Sequence, residues 1–291
     1  MNYPDDHAAW KRLVAQEMAE KSALNWFALA DPCSDGRLPA ILWELEDNAG
    51  ILPLFMNTML HEVSMAGPLF VPLRASSPLA GWILEESGRV PVGVIYGVEE
   101  RASSALFEHL QNLLECRLPE GGSGLFRFFD PRVLYAVAGH QNPEWRRLLL
   151  GQAEVLHAWE PGCRRPVSLA GPGRALEEEG WEMRRDLLEA IAHHTSPYAV
   201  IHWMDGGRGE ALRAMPLPEA YAWVREIRDS LAELGWSSLR DFMTGASLCL
   251  QLGTNIFEEE ELRGMLLAER NAQGLPEAVK TIPDAWFEKK R

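Results

Sequence analysis

Apolar residues recur every three or four positions near the start of the chain, at Trp10, Leu13, Val14 and Met18. This spacing predicts an amphipathic first helix. The period then shortens. "NWFALAD" reads as a strand that ends in the turn-forming "PCSDGRLP". "GPLFVPL" and "PVGVIYGV" are short apolar runs bounded by glycine and proline, as buried strands are. A helical stripe follows at Leu106, Phe107, Leu110, Leu113 and Leu114, which Ser103 or Ser104 can cap and "LPEGG" ends. "EVLHAWEP" and "RPVSLAG", with "GCRR" between them, predict a hairpin or edge strands. Strands alternating with helices over residues 1–170 predict a mixed α/β lobe.

Beyond residue 170 the pattern becomes helical. Ala220, Val224, Ile227, Leu231 and Leu234 form one apolar seam that Gly235 closes. A second helix is expected from "SSLRD", with Ser238 and Asp241 at capping-box spacing, Leu239, Phe242, Met243 and Ala246 facing inward, and Gly253 as its end. "TNIFEEEEL" predicts a further helix capped by Thr254 or Asn255, with Glu258 to Glu261 in its first turns, where the macrodipole favours anions. The last residues, "DAWFEKKR", read as a loosely held tail. The expected fold class is therefore α+β: a mixed lobe over 1–170 followed by an all-helical lobe over 171–291.

One stretch does not fit a simple period. In "LFRFFDPRVL" (125–134), read as a strand, Phe126 and Phe128 point one way and Leu125, Arg127 and Phe129 the other, so both faces are buried except near Arg127. Asp130 is a good N-cap, Pro131 suits the first helical position, and Val133, Leu134 and Val137 supply a helix face. The arginines need more explanation. Arg127 requires a carboxylate or carbonyls, and Arg132 stands at the electrostatically unfavourable end of its helix, which implies a partner such as Asp130 or an acidic loop. An anion site is the functional alternative, but the glycines of "EGGSG" precede the strand and cannot form a phosphate cradle. Arg127, Asp130, Pro131 and Arg132 are accordingly read as a structural corner.

Charge and cysteine content narrow the class. The net charge of −14 over 291 residues is spread through both halves without a basic tract, so nucleic acid is not an expected partner. Four widely spaced cysteines, with no C-x-x-C pair, fit reduced thiols of a cytoplasmic protein. The start "MNYPDDHAAW" lacks the features of a signal peptide, and no apolar run is long enough to insert in a membrane. No cofactor motif is present, so no cofactor is expected. Eleven tryptophans are many for this length, and Trp145, Trp159, Trp181, Trp203 and Trp236 are candidates for exposed anchors.

Enzyme signatures are sparse. His193 and His194 lack H-E-x-x-H spacing, while His202 and Asp205 form an H-x-x-D that can share a helical face with an earlier histidine. No G-x-S-x-G is present, and Glu177 to Glu179 and Glu258 to Glu261 read as solvated helix starts.

"GLFRFFDPRVL" resembles the signature of the domain of unknown function 4123 family, whose members are type VI secretion adaptors, or effector chaperones. "NWFALADP", "GPLFVPL" and "SPLAGWIL" agree in order, and "LGWSSLRDFMTGASLCLQLGTNIFEEEE" resembles the family's C-terminal stretch. Residues 194–216 carry the least resemblance. It implies a non-catalytic cytoplasmic protein that binds a toxic effector and loads it onto the VgrG spike protein. Two other readings stay open: a metal-dependent hydrolase using histidines of the 193–205 region, and an immunity protein that neutralises a toxin.

Overall fold

A computed structural model describes residues 6–45, 50–176, 181–204, 206–269 and 273–289. Helix α1 (His7–Glu20) is capped by the Asp6 side chain and buries Trp10, Val14 and Met18, as the spacing predicted. There follow β1 (Leu24–Ala30), α2 (Leu38–Leu45), β2 (Leu52–Pro53), a 3-10 segment (His61–Ala66), β3 (Leu69–Leu73), α3 (Pro78–Glu86) and β4 (Gly93–Glu99). Next come α4 (Ser103–Leu113), β5 (Glu115–Arg117), β6 (Ser123–Leu125), α5 (Pro131–Gly139), α6 (Pro143–Leu150), β7 (Val155–Glu160), β8 (Arg165–Ala170) and β9 (Trp181–Glu182).

Strand alternation decides how these elements layer. The main sheet has the order β2-β3-β1-β4-β7-β8, and every pairing in it is antiparallel. Along β1, Trp26, Ala28 and Ala30 face a core that contains Trp10 and Val14 of α1, Leu38 of α2 and Ile83 of α3. Leu29 faces the opposite core, with Val94, Tyr96 and Val98 of β4, Leu106 and Leu110 of α4 and Leu134 of α5. Both faces are thus covered, which is why these strands read as continuous apolar runs although the sheet is antiparallel. A small second sheet, β6-β5-β9, holds the one parallel pairing found among the described residues, β5 with β9.

Some local expectations change. Neither Ser103 nor Ser104 caps α4: Ala102 holds the cap position after a 3-10 turn, and the Ser103 hydroxyl instead accepts a bond from Asn25 Nδ2 at 3.4 Å. The chain divides into compact units between His194 and Thr195, later than the change of texture at 170/171. Trp181, Met183 and Leu187 explain the shift, because they join the core of the first unit. The division falls inside α7 (Arg185–Trp203).

The second unit contains α8 (Gly206–Ala214), α9 (Leu217–Glu233), α10 (Leu239–Leu252), α11 (Glu260–Ala268), α12 (Leu275–Val279) and α13 (Asp284–Glu288). The predicted seam of α9 is buried from Ala220 to Leu234. Ser238 and Asp241 form the capping box, and the second Asp241 oxygen accepts Leu275 N–H at 2.7 Å, so one carboxylate fixes the starts of α10 and α12. Gly253 ends α10 in the left-handed conformation, φ +72°.

Leu239 is exposed rather than inward, since it is the first helical residue, ahead of the packed stripe. The acidic segment forms two pieces. Asn255 caps a 3-10 turn (Ile256–Glu258), Glu259 is extended, and only Glu260 and Glu261 lie in the first turn of α11. The tail is anchored by Trp286, which is buried in α13. No helix among the described residues is long and apolar enough to cross a membrane.

Candidate functional site

The apolar run at 125–129 is not a continuous strand. β6 stops at Leu125, Phe126 N–H donates to Leu114 O at 2.7 Å, and the chain then turns, with Asp130 N–H donating to Arg127 O at 2.9 Å. Turning places all three phenyl rings in one core instead of on two faces. Phe126 meets Trp181 edge-on at 4.9 Å, and Phe129 meets Phe55 edge-on at 6.4 Å. Leu125 is left 45% exposed.

The charged residues lock this corner. Asp130 accepts Arg132 N–H at 3.0 Å as the cap of α5, with Pro131 at the first turn. The same carboxylate holds the Arg132 side chain through Nε at 2.8 Å and Nη2 at 2.6 Å. Arg127 reaches across the fold to Asp31, just beyond β1, at 2.9 Å, and its guanidinium lies 5.5 Å from the Phe129 ring centre. Asp31 is buried and also accepts Cys33 N–H at 2.9 Å. Arg127, Asp130 and Arg132 thus each make a side-chain ion pair at this corner, and Pro131 occupies the first turn of α5. Asp31, the last residue of "NWFALAD", is the carboxylate that Arg127 requires.

Next to this corner lies a surface that sequence reasoning missed. The large hydrophobic residues exposed among the described ones are Leu52, Met59, Val63, Met65, Leu125, Trp203, Leu239 and Leu267. Four of these fall between residues 52 and 65, and Met59 and Met65 are each 71% exposed. Their backbone is held from beneath. Leu54 N–H donates to Pro68 O at 2.8 Å, and Gln111 Nε2 donates to Leu54 O and Met56 O at 3.0 and 2.6 Å. Phe55 is buried against Phe129 and lies so close to Gly67 that a side chain there would enter its ring.

Met59 and Leu60 form one wall of a groove of about 540 Å3, with Gln111 and Asn112 of α4 and Leu125 of β6 also lining it. β6 is the outer strand of its sheet. Methionine exposed on a fixed frame is an adaptable apolar contact, and it is over-represented on surfaces that accept varied protein segments. No periodic signal could have found it, because "LFMNTMLHEVSM" mixes buried and exposed apolar positions in irregular order.

The tryptophan candidates sort cleanly. Trp145, Trp159, Trp181 and Trp236 are buried, while Trp203 is 66% exposed. Of the histidine candidates, His193 is exposed and His202 meets Trp203 edge-on at 5.8 Å. Asp205 and Glu177 to Glu179 lie outside the described residues. His194 has other company. Its Nε2 is 3.8 Å from Glu160 Oε1, and with Cys163 Sγ these ligand atoms all lie within 4.8 Å of one another. Burial first, and then the Glu160 charge, push the Cys163 thiol up, so the free side chain is protonated and a poor nucleophile. Burial likewise raises Cys249, to about 12. All four cysteines are free.

No curated protein and no solved structure matches the chain. The family model described as domain of unknown function (DUF4123) matches residues 26–148, a span that runs from β1 to α6 and holds both the locked corner and the methionine surface beside it.

Proposed function

We propose that the chain is a non-catalytic adaptor that binds a type VI secretion effector in the cytoplasm and loads it onto the VgrG spike protein. The observation that carries this reading is the exposure of Met59, Val63, Met65 and Leu125 inside the matched segment, with Met59 and Leu125 lining one groove. The Arg-Phe-Phe-Asp-Pro-Arg corner acts as the support for that surface. Its Phe129 ring packs edge-on against Phe55, and Phe55 anchors the segment that displays Met59.

The energetics suit a carrier that must release its cargo. Burying three or four such side chains contributes roughly 5–8 kcal/mol, against an association cost of about 4–15 kcal/mol. The apolar surface alone therefore gives a weak complex, and further polar contacts are required to hold the effector. A second surface with its own affinity for the spike then permits transfer. The overall charge of −14 favours basic segments of the partners and speeds encounter.

Deleting the gene in the producing bacterium tests the proposal. An adaptor is required for export of one effector, and the producer survives its loss. Unchanged export refutes the reading, and self-poisoning of the deletion strain assigns the chain to toxin neutralisation instead.

A further inference from the structure

We infer that Glu160, Cys163 and His194 form a binding site for a divalent transition-metal cation, best matched by zinc. Glu160 ends β7, Cys163 lies in the turn to β8, and His194 projects from α7. The site thus takes two ligands from one tight turn and a third from a distant helix, which clamps the hairpin to the first part of α7. This inference goes beyond the adaptor reading and does not depend on it, because a clamp of this kind stabilises the fold whatever the chain binds.

The geometry is close to a three-ligand tetrahedral site. Zinc bonds of ~2.0–2.3 Å place neighbouring ligand atoms about 3.3–3.8 Å apart. Here the Glu160–His194 separation is 3.8 Å and no pair exceeds 4.8 Å. Closing the set takes side-chain movements on the order of 1 Å, within what rotamer adjustment supplies.

Orientation is already provided for the carboxylate. Glu160 is fully buried and accepts Cys163 N–H at 2.6 Å and Gly162 N–H at 3.4 Å. These bonds hold the carboxylate toward the turn while each oxygen keeps a lone pair for a cation.

Charge and donor type also agree. A carboxylate, a thiolate and a neutral imidazole balance the two charges of the ion, which suits a site whose Glu160 is buried and whose Cys163 and His194 are half-buried, with the Arg132 guanidinium also acting on Glu160. Binding replaces the S–H bond of Cys163 with a sulfur–metal bond and releases that proton to solvent. One sulfur, one nitrogen and one oxygen donor suit zinc and cobalt better than calcium or magnesium, which prefer oxygen alone. His194 and Tyr135 also line a cleft of about 590 Å3, which gives the ion access and leaves room for a water molecule as fourth ligand.

Metal uptake by the full chain tests this site. After incubation with zinc and removal of free ion, the wild type is expected to retain one equivalent by elemental analysis. Cobalt in its place is expected to give the ligand-field bands of a tetrahedral ion and a sulfur-to-metal charge-transfer band. Cys163→Ser is expected to abolish the charge-transfer band, and His194→Gln to weaken zinc binding by at least about tenfold. Cys33→Ser and His202→Gln should leave uptake unchanged. Zinc should also raise the melting temperature of the wild type, and of these two controls, but not of the two site variants. Less than about a tenth of an equivalent on the folded wild type overturns the inference, as does an unaltered charge-transfer band in Cys163→Ser.

Discussion

Removing the Asp130 carboxylate separates two roles that the structure combines in one side chain. As an N-cap alone, Asp130 contributes about 1 kcal/mol, and Asn substitutes for it well in that role. The side chain also holds Arg132 through three contacts of 2.6–3.1 Å, with Asp130 only 7% and Arg132 28% exposed. Breaking a buried pair costs about 3–5 kcal/mol and an exposed one about 0–1, so a partly covered pair is expected near 2 kcal/mol.

Asp130→Ala should therefore lose roughly 3 kcal/mol, and Asp130→Asn roughly 2. In an Arg132→Met background, where the pair with Asp130 is already absent, Asp130→Ala should lose only the cap, about 1 kcal/mol. Urea unfolding of the four proteins gives the coupling energy as a double-mutant cycle, expected near 2 kcal/mol. A coupling close to zero, or an Asp130→Ala loss no larger than the cap, refutes the locked-corner argument.

Two further predictions follow from the same unit. His109 is buried, with Nε2 2.8 Å from Leu148 O and Nδ1 accepting Leu176 N–H at 3.1 Å, and burial holds its pKa below 6.5. The folded state therefore prefers the neutral ring. Stability is complete above pH 6.5 and falls as the pH drops below it, by up to about 1.4 kcal/mol per unit, until the folded-state pKa is reached. Melting temperatures at pH 7.5 and 5.5 (roughly one unit either side of that value) should differ more for the wild type than for His109→Gln, and equal differences would remove His109 as a cause. Gly67→Ala should destabilise by about 1–3 kcal/mol, because its new methyl overlaps the Phe55 ring; a thermal shift within error of wild type would show that the 55–66 segment yields instead of resisting.

What the sequence disclosed was set by distance along the chain. The Asp130–Pro131 cap and the Ser238–Asp241 box are interactions within a few residues, and both were legible from spacing. Strands β1 and β4 were legible as apolar runs between breakers, although their antiparallel pairing was not. Arg127 and Asp31 lie 96 positions apart, so the need for a carboxylate was predictable while its identity was not. A short apolar run such as Phe126 to Phe129 does not distinguish strand from turn, and the deciding factor is a core able to take all three phenyl rings. Met59 follows a segment held by Gln111 at Leu54 and Met56 and by Phe55 on Phe129, contacts that no local pattern encodes.

The proposed function stands or falls on whether the methionine surface binds the effector. The most direct measurement is the affinity of the purified chain for the effector whose export it supports, by calorimetry, for the wild type and for Met59→Glu combined with Met65→Glu. Both residues are 71% exposed, so the double variant should keep the wild-type circular dichroism and melting temperature. Loss of two apolar contacts, about 3 kcal/mol, should weaken binding roughly 100-fold. Wild-type affinity in the folded double variant would contradict the account.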